Sequence, residues 1–130
     1  MAFIEVNFPG GKKTEANVKG FTVETDQPVA SGGEETDPSP FDLFLTSIVT
    51  CSGVYALNFC QNKGISTKGL KLELGFEKNF ETGLIEEINL NLTLPEKFPP
   101  KYEKAIVKAM NLCAVKKHIE TPPNFNINTK

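Results

Sequence analysis

Three side chains in this sequence carry soft nucleophilic chemistry: Cys51, Cys60 and Cys113. The chemistry open to them is thiolate attack, disulfide formation or metal ligation, with small apolar core packing as the bland alternative. Cys51 lies in the middle of an apolar run and Cys60 nine residues later on the same run. If the run is helical, nine steps put the two on opposite faces and about 13–14 Å apart along the axis. A disulfide needs Cα atoms within about 7 Å, so within one chain any disulfide has to use Cys113. Zinc is poorly served, because three cysteines and the single histidine, His118, show neither C-x-x-C nor H-x-x-x-H spacing. A Ser/His/Asp hydrolase lacks its G-x-S-x-G elbow, and the glycine patterns that cradle phosphates are absent. His118 follows Cys113 by five residues, about 140° away around a helix, and reads as a capping or solvent-facing group rather than an activator of that thiol.

The elements that position these thiols follow from periodicity. Residues 2–8 alternate, with Ile4, Val6 and Phe8 on one face and Phe3, Glu5 and Asn7 on the other, and predict a strand ended by Pro9-Gly10-Gly11. Residues 15–25 predict two further strands broken near Gly20, and residues 26–40, rich in Pro and Gly, a long loop. Ser39-Pro40-Phe41-Asp42 offers a cap, a first-turn proline and an acidic third position, opening a helix that runs to Asn62-Lys63-Gly64. That helix is apolar nearly all round, as in a buried core helix; its polar interruptions and the alternating remainder of the chain argue against a membrane span. Leu70–Phe76 and Ile85–Leu94 predict an antiparallel hairpin with a phase slip around Glu86-Glu87. A second helix is predicted from about Pro100 to His118, with Cys113 on its packed face, and residues 124–129 alternate as a final edge strand.

Composition bounds the rest. The 130 residues suit one domain, taken as residues 1–130. Their order of strands and helices is α+β rather than a βαβ repeat. The net charge of −2 is spread without a basic stripe, which argues against nucleic acid. All 14 basic residues other than the histidine are Lys; there is no Arg. The N-terminus lacks the basic start and apolar run of an export signal, so free thiols in the cytoplasm are expected.

The stretch Phe21–Gly53 resembles the OsmC/Ohr family of peroxide-protective proteins. The residues that carry the resemblance are Asp26, Gly32-Gly33, Pro38-Ser39-Pro40, Asp42-Leu43-Phe44 and Cys51, with Asn111-Leu112-Cys113-Ala114-Val115 similar to the family's second cysteine motif. The resemblance implies an OsmC-like α+β fold in which two antiparallel sheets wrap around central helices in an intertwined homodimer. It also implies a cysteine-based thiol peroxidase without cofactor or metal. Cys51 would attack an organic hydroperoxide and become a sulfenic acid, Cys113 would close an intramolecular disulfide, and an external dithiol would restore both. The peroxidase branches set an Arg and a Glu about the reactive Cys. Here Lys12 of Gly10-Gly11-Lys12 falls roughly where the Arg would be, and Phe41, beside Asp42, where the Glu would be. An ordinary thiol is only about 3% ionised at pH 7, so the missing Arg opens an alternative: an OsmC-like dimer that binds a small apolar ligand or senses redox state.

Overall fold

The computed structural model describes residues 2–130. Five strands and three helices follow one another as β1 (Ile4–Gly10), β2 (Lys13–Val18), β3 (Phe21–Thr25), α1 (Pro40–Asn62), β4 (Lys71–Lys78), β5 (Ile85–Thr93), α2 (Glu103–Met110) and α3 (Ala114–Glu120). The chain resolves into two compact units, one ending at Thr46 and the other Ser47–Lys130.

In the first unit β1, β2 and β3 form an antiparallel sheet in that order. Its register aligns Ile4 with Val18 and Val18 with Phe21, and Val6 with Ala16 and Ala16 with Val23. Because side chains alternate and cross-strand partners share a face, these residues make one apolar face, while Glu5, Asn17 and Thr22 lie on the other. The predicted alternation therefore holds, although β1 runs on through Pro9 and Gly10, so that the turn is Gly11-Lys12.

The loop after β3 is organised by Asp26, which is buried. Its carboxylate accepts the backbone N–H of Gln27 at 2.7 Å, of Glu34 at 3.2 Å and of Thr36 at 3.3 Å, and the Thr36 hydroxyl at 3.0 Å. Gly33 is required there, because a Cβ on it would stand 2.0 Å from the Gln27 carbonyl oxygen.

α1 begins as its sequence dictates. The Ser39 hydroxyl accepts the Asp42 N–H at 3.1 Å and the Asp42 carboxylate accepts the Ser39 N–H at 2.9 Å, a reciprocal cap in which Asp takes the usual Glu position. It ends in a Schellman arrangement: Ile65 N–H reaches Cys60 O at 2.8 Å and Gly64 N–H reaches Gln61 O at 3.2 Å, with Gly64 at φ +65°. By length and hydropathy α1 could cross a bilayer. Its fully buried side chains, Ile48, Ser52, Ala56 and Cys60, recur every fourth residue and so form one narrow stripe of mostly small groups.

In the second unit β4 and β5 pair antiparallel, with Leu72 opposite Leu92, Leu74 opposite Leu90 and Phe76 opposite Ile88. The phase slip expected near Glu86-Glu87 is a bulge: Glu77 pairs with Glu87, but Lys78 with Ile85. The core of this unit gathers Ala56 and Cys60 of α1, Phe98, and Ile106 and Met110 of α2, with Leu72 and Leu92 of the hairpin packed against it.

Two expectations need correction. The single helix predicted from Pro100 to His118 is broken: a 3-10 turn at Pro100–Tyr102 leads into α2, and the chain leaves helical geometry before α3. The apolar 3–4 spacing persists across the break and conceals it. Residues 124–129 form no strand and pair with none of the described residues; Phe125 and Ile127 are exposed.

Candidate functional site

The break between α2 and α3 decides the setting of Cys113. The residue has φ −49° and ψ 124° and is the N-cap of α3, not a mid-helix residue. Its Sγ accepts the backbone N–H of Lys116 at 3.5 Å, as a Ser or Asp oxygen does at the usual cap. The loop leading into it is held by Asn111 N–H to Val107 O at 3.2 Å and Cys113 N–H to Met110 O at 3.3 Å.

Cys113 is fully buried, and α1 supplies its other partners: the side chains of Cys51 and Ser52 both hydrogen-bond to it. The two thiols that the resemblance pairs, sixty-two positions apart in sequence, are thus in contact, and they are not bridged. Cys51 is half-buried. Burial by itself pushes the Cys113 thiol up. Hydrogen bonds from Cys51, the Lys116 amide, the Ser52 hydroxyl and the Val115 amide outweigh it, so its pKa lies below the ordinary thiol value.

Cys60 is the contrasting case. It sits on the core stripe of α1 with no exposure, and burial alone pushes its thiol up. It belongs to the packing, not to the thiol pair.

The other residues singled out by sequence are placed as follows. Lys12 is on the β1–β2 turn, with its Cε within 3.6 Å of where a Cβ on Gly32 would be. Phe41 stacks obliquely on Phe44 with ring centroids 5.4 Å apart, and the Asp42 carboxylate is engaged by the cap of α1. His118 is exposed and uses Nδ1 on the Ala114 carbonyl at 2.7 Å, one turn back at the start of α3, so it faces solvent and does not cap the helix end. Sequence reasoning missed Ser52, which neighbours Cys51 and touches Cys113. Its signal was present: Ser52 lies four residues from the apolar Ile48 and Ala56 and so had to face the interior, where a hydroxyl needs a partner.

Beside Ser52 the second unit holds a cavity of about 440 Å³. Ile88, Leu90 and Leu92 of β5 and Val107 and Met110 of α2 make its apolar walls. Asn111 and Lys116 also line it and bond each other, with Lys116 Nζ 2.6 Å from Asn111 Oδ1 and 3.6 Å from a Glu120 carboxylate oxygen.

Comparison with known proteins gives the family model and the fold. The family model described as OsmC-like protein matches residues 32–128. No curated protein matched the chain. Among solved structures, the chain is similar to a proposed osmotic-stress-induced and detoxification-response protein of Psychrobacter arcticus, at 23% identity and TM-score 0.77 over 90% of this chain and 87% of that one. It is similar to an organic hydroperoxide resistance protein, OsmC, of Legionella pneumophila, at 17% identity and TM-score 0.57 over 89% and 86%. It is also similar to the organic hydroperoxide resistance protein OhrB of Bacillus subtilis, at 17% identity and TM-score 0.53 over 92% and 91%. At these identities the likeness is one of fold: two small antiparallel sheets combined with helices.

Proposed function

This chain belongs to the OsmC-like protein family, and on that premise we propose that it is a cysteine-based peroxidase of organic hydroperoxides. The observation that carries the reading is the unbridged, hydrogen-bonded contact between Cys51 and Cys113. Cys51, the more exposed of the two, attacks the peroxide and becomes a sulfenic acid. Cys113, its hydrogen-bond partner, displaces the sulfenic oxygen as water and so closes a disulfide, which an external dithiol reopens. Ser52 keeps Cys113 oriented toward its partner. The reaction needs no cofactor, because both electrons come from the two sulfurs. Three unbridged thiols suit a reducing compartment, and we place the protein in the cytoplasm as a homodimer.

The test is to treat the reduced protein with one equivalent of cumene hydroperoxide and map its cysteines by peptide mass spectrometry. A Cys51–Cys113 disulfide that a dithiol reverses is the expected product, and Cys51→Ser abolishes peroxide consumption. Unchanged consumption in Cys51→Ser overturns the reading.

The cavity beside Ser52 favours a second reading, in which the apolar walls formed by β5 and α2 hold a small apolar ligand and the thiols report redox state. Native mass spectrometry after exposure to lipid extracts separates the two. A retained small molecule with thiols unreactive to peroxide supports this second reading, and a persistently empty cavity removes it.

A further inference from the structure

Among the residues that line the cavity of about 440 Å³ in the second unit, Lys116 alone carries a charge. The break between α2 and α3 sets its position. Asn111 and Lys116 are five residues apart, and in one unbroken helix they would point about 140° away from each other. Because the chain leaves helical geometry before α3, Lys116 Nζ instead donates to Asn111 Oδ1 at 2.6 Å. The Asn111 amide is fixed from its other end, where Nδ2 donates to the Val107 carbonyl at 3.3 Å. The backbone of Lys116 is fixed as well, its N–H held by Cys113 Sγ at 3.5 Å. An ammonium has three donors. One goes to Asn111, and the Glu120 carboxylate oxygen, at 3.6 Å, lies beyond hydrogen-bond distance, which leaves donor capacity for a ligand oxygen. A half-buried, positioned cation thus stands at the edge of an apolar-walled cavity that holds no other charge.

We propose that this cavity binds a carboxylate-headed amphiphile, with its hydrocarbon tail along β5 and α2 and its carboxylate on the Lys116 ammonium. The inference rests on the ligand-holding reading above and names the head group of the ligand. Charge sets the sign of that head. A cationic head would meet Lys116 with nothing in the cavity wall to compensate it, whereas an anionic head gives the ammonium a counter-charge away from bulk water. Donor geometry sets the class. An ammonium is a compact point charge, and with no Arg in the chain there is no planar fork for a phosphate. One ammonium matches one singly charged carboxylate, while a phosphate dianion would keep most of its oxygens without a donor. The apolar walls take the tail, whose burial a neutral alcohol would share without gaining the charge-assisted bond. Glu120 is the competitor built into the chain. It approaches the ammonium from one turn further along α3 and does not line the cavity. As an exposed i,i+4 partner it holds the ammonium weakly, so a carboxylate delivered from the cavity side displaces it.

The probes are decanoate, 1-decanol and decyl phosphate, each titrated calorimetrically, below its micelle concentration, into wild type, Lys116→Gln, Glu120→Gln and Lys104→Gln. Wild type binds decanoate about tenfold more tightly than 1-decanol, the effect of one charge-assisted hydrogen bond, and more tightly than decyl phosphate. Lys116→Gln keeps the backbone N–H that Cys113 holds; it removes the preference for decanoate and leaves the affinity for 1-decanol unchanged, as an intact cavity requires. Glu120→Gln removes the competitor and strengthens decanoate binding, a gain that misfolding does not produce. Lys104, an exposed lysine of α2 that does not line the cavity, serves as the control for adsorption to surface lysines, and Lys104→Gln binds decanoate as wild type does. Equal binding of decanoate and 1-decanol, a preference that survives in Lys116→Gln or falls equally in Lys104→Gln, or tighter binding of decyl phosphate overturns the carboxylate site while the ligand-holding reading stands. Failure of all three probes to bind wild type removes that reading and the carboxylate site with it.

Discussion

Three cysteines of one chemical type have three fates here, and the surroundings assign them. Cys51 is half-open to solvent, Cys113 is buried among donors, and Cys60 is buried among hydrocarbon. Cys60 in the native protein therefore resists alkylation while Cys51 reacts. Cys60→Ser, which buries a hydroxyl in that apolar core, lowers unfolding stability by about 1–3 kcal/mol in urea titration, whereas Cys51→Ser costs less. Asp26 supplies a pH effect. The Gln27 N–H holds its carboxyl below the usual range against the opposing effect of burial, aided by Thr36 and Glu34. A carboxyl depressed in the folded state contributes stability that is fully present above its unfolded pKa of about 3.9 and is lost as pH falls through the folded value. Acid titration of Asp26→Asn, followed by circular dichroism, shows a weaker loss of stability below pH 4 than wild type, from a lower starting stability at pH 7. At this scale the thiol pair was legible only through the family resemblance. Spacing alone required Cys113 for any internal disulfide, but it could not bring two residues sixty-two positions apart into contact or reveal Ser52 as a further partner of Cys113.

Elements were legible where local and tertiary signals agreed. α1 has its cap, its first-turn proline, its acidic third residue and its terminal glycine all in sequence, and its bounds follow them. Ser39→Ala removes one side of the reciprocal cap and lowers stability by about 1 kcal/mol in urea titration, leaving the reactivity of Cys51 unchanged because the cap lies about three turns away. The hairpin register was equally open, since a one-residue slip in β5 turns every later side chain over and the bulge is the only way to keep Ile85, Ile88, Leu90 and Leu92 useful. The α2–α3 break was not. Neither Gly nor Pro marks residues 111–113, and the helical spacing of Ile106, Met110 and Cys113 survives it. At the stop a local exchange takes place, in which the Cys113 sulfur replaces a backbone carbonyl as the acceptor for Lys116 N–H. That substitution turns a would-be mid-helix cysteine into a capped one, and it is what places Cys113 among donors.

At the scale of the whole molecule the open question is what covers the first sheet. Its apolar face is complete: Ile4, Val6 and Phe8 on β1, Ala16 and Val18 on β2, Phe21 and Val23 on β3. Yet within one chain Ile4 is 50% exposed, Phe8 79% and Phe21 72%. A three-stranded sheet with one solvated apolar face is a poor independent structure, and exposed apolar surface of this continuity marks an interface. A second copy of the chain is the partner that the proposed homodimer supplies. At about 25 cal/mol per Å², covering the roughly 800 Å² per partner of a standard interface would offset much of the cost of ordering the sheet. The expected mass in solution, by light scattering coupled to size exclusion, is therefore twice the 14.3 kDa of the chain. Phe21→Glu places a charge on that face, beside Val18 at the β2–β3 turn, where the covered state would bury it unpaired. It shifts the population to monomer and lowers the unfolding midpoint, which in wild type rises with protein concentration as dissociation-linked unfolding requires. A wild-type protein that elutes as a monomer with a concentration-independent midpoint would mean that the sheet is stable with its apolar face in water, and the homodimer would have to be given up.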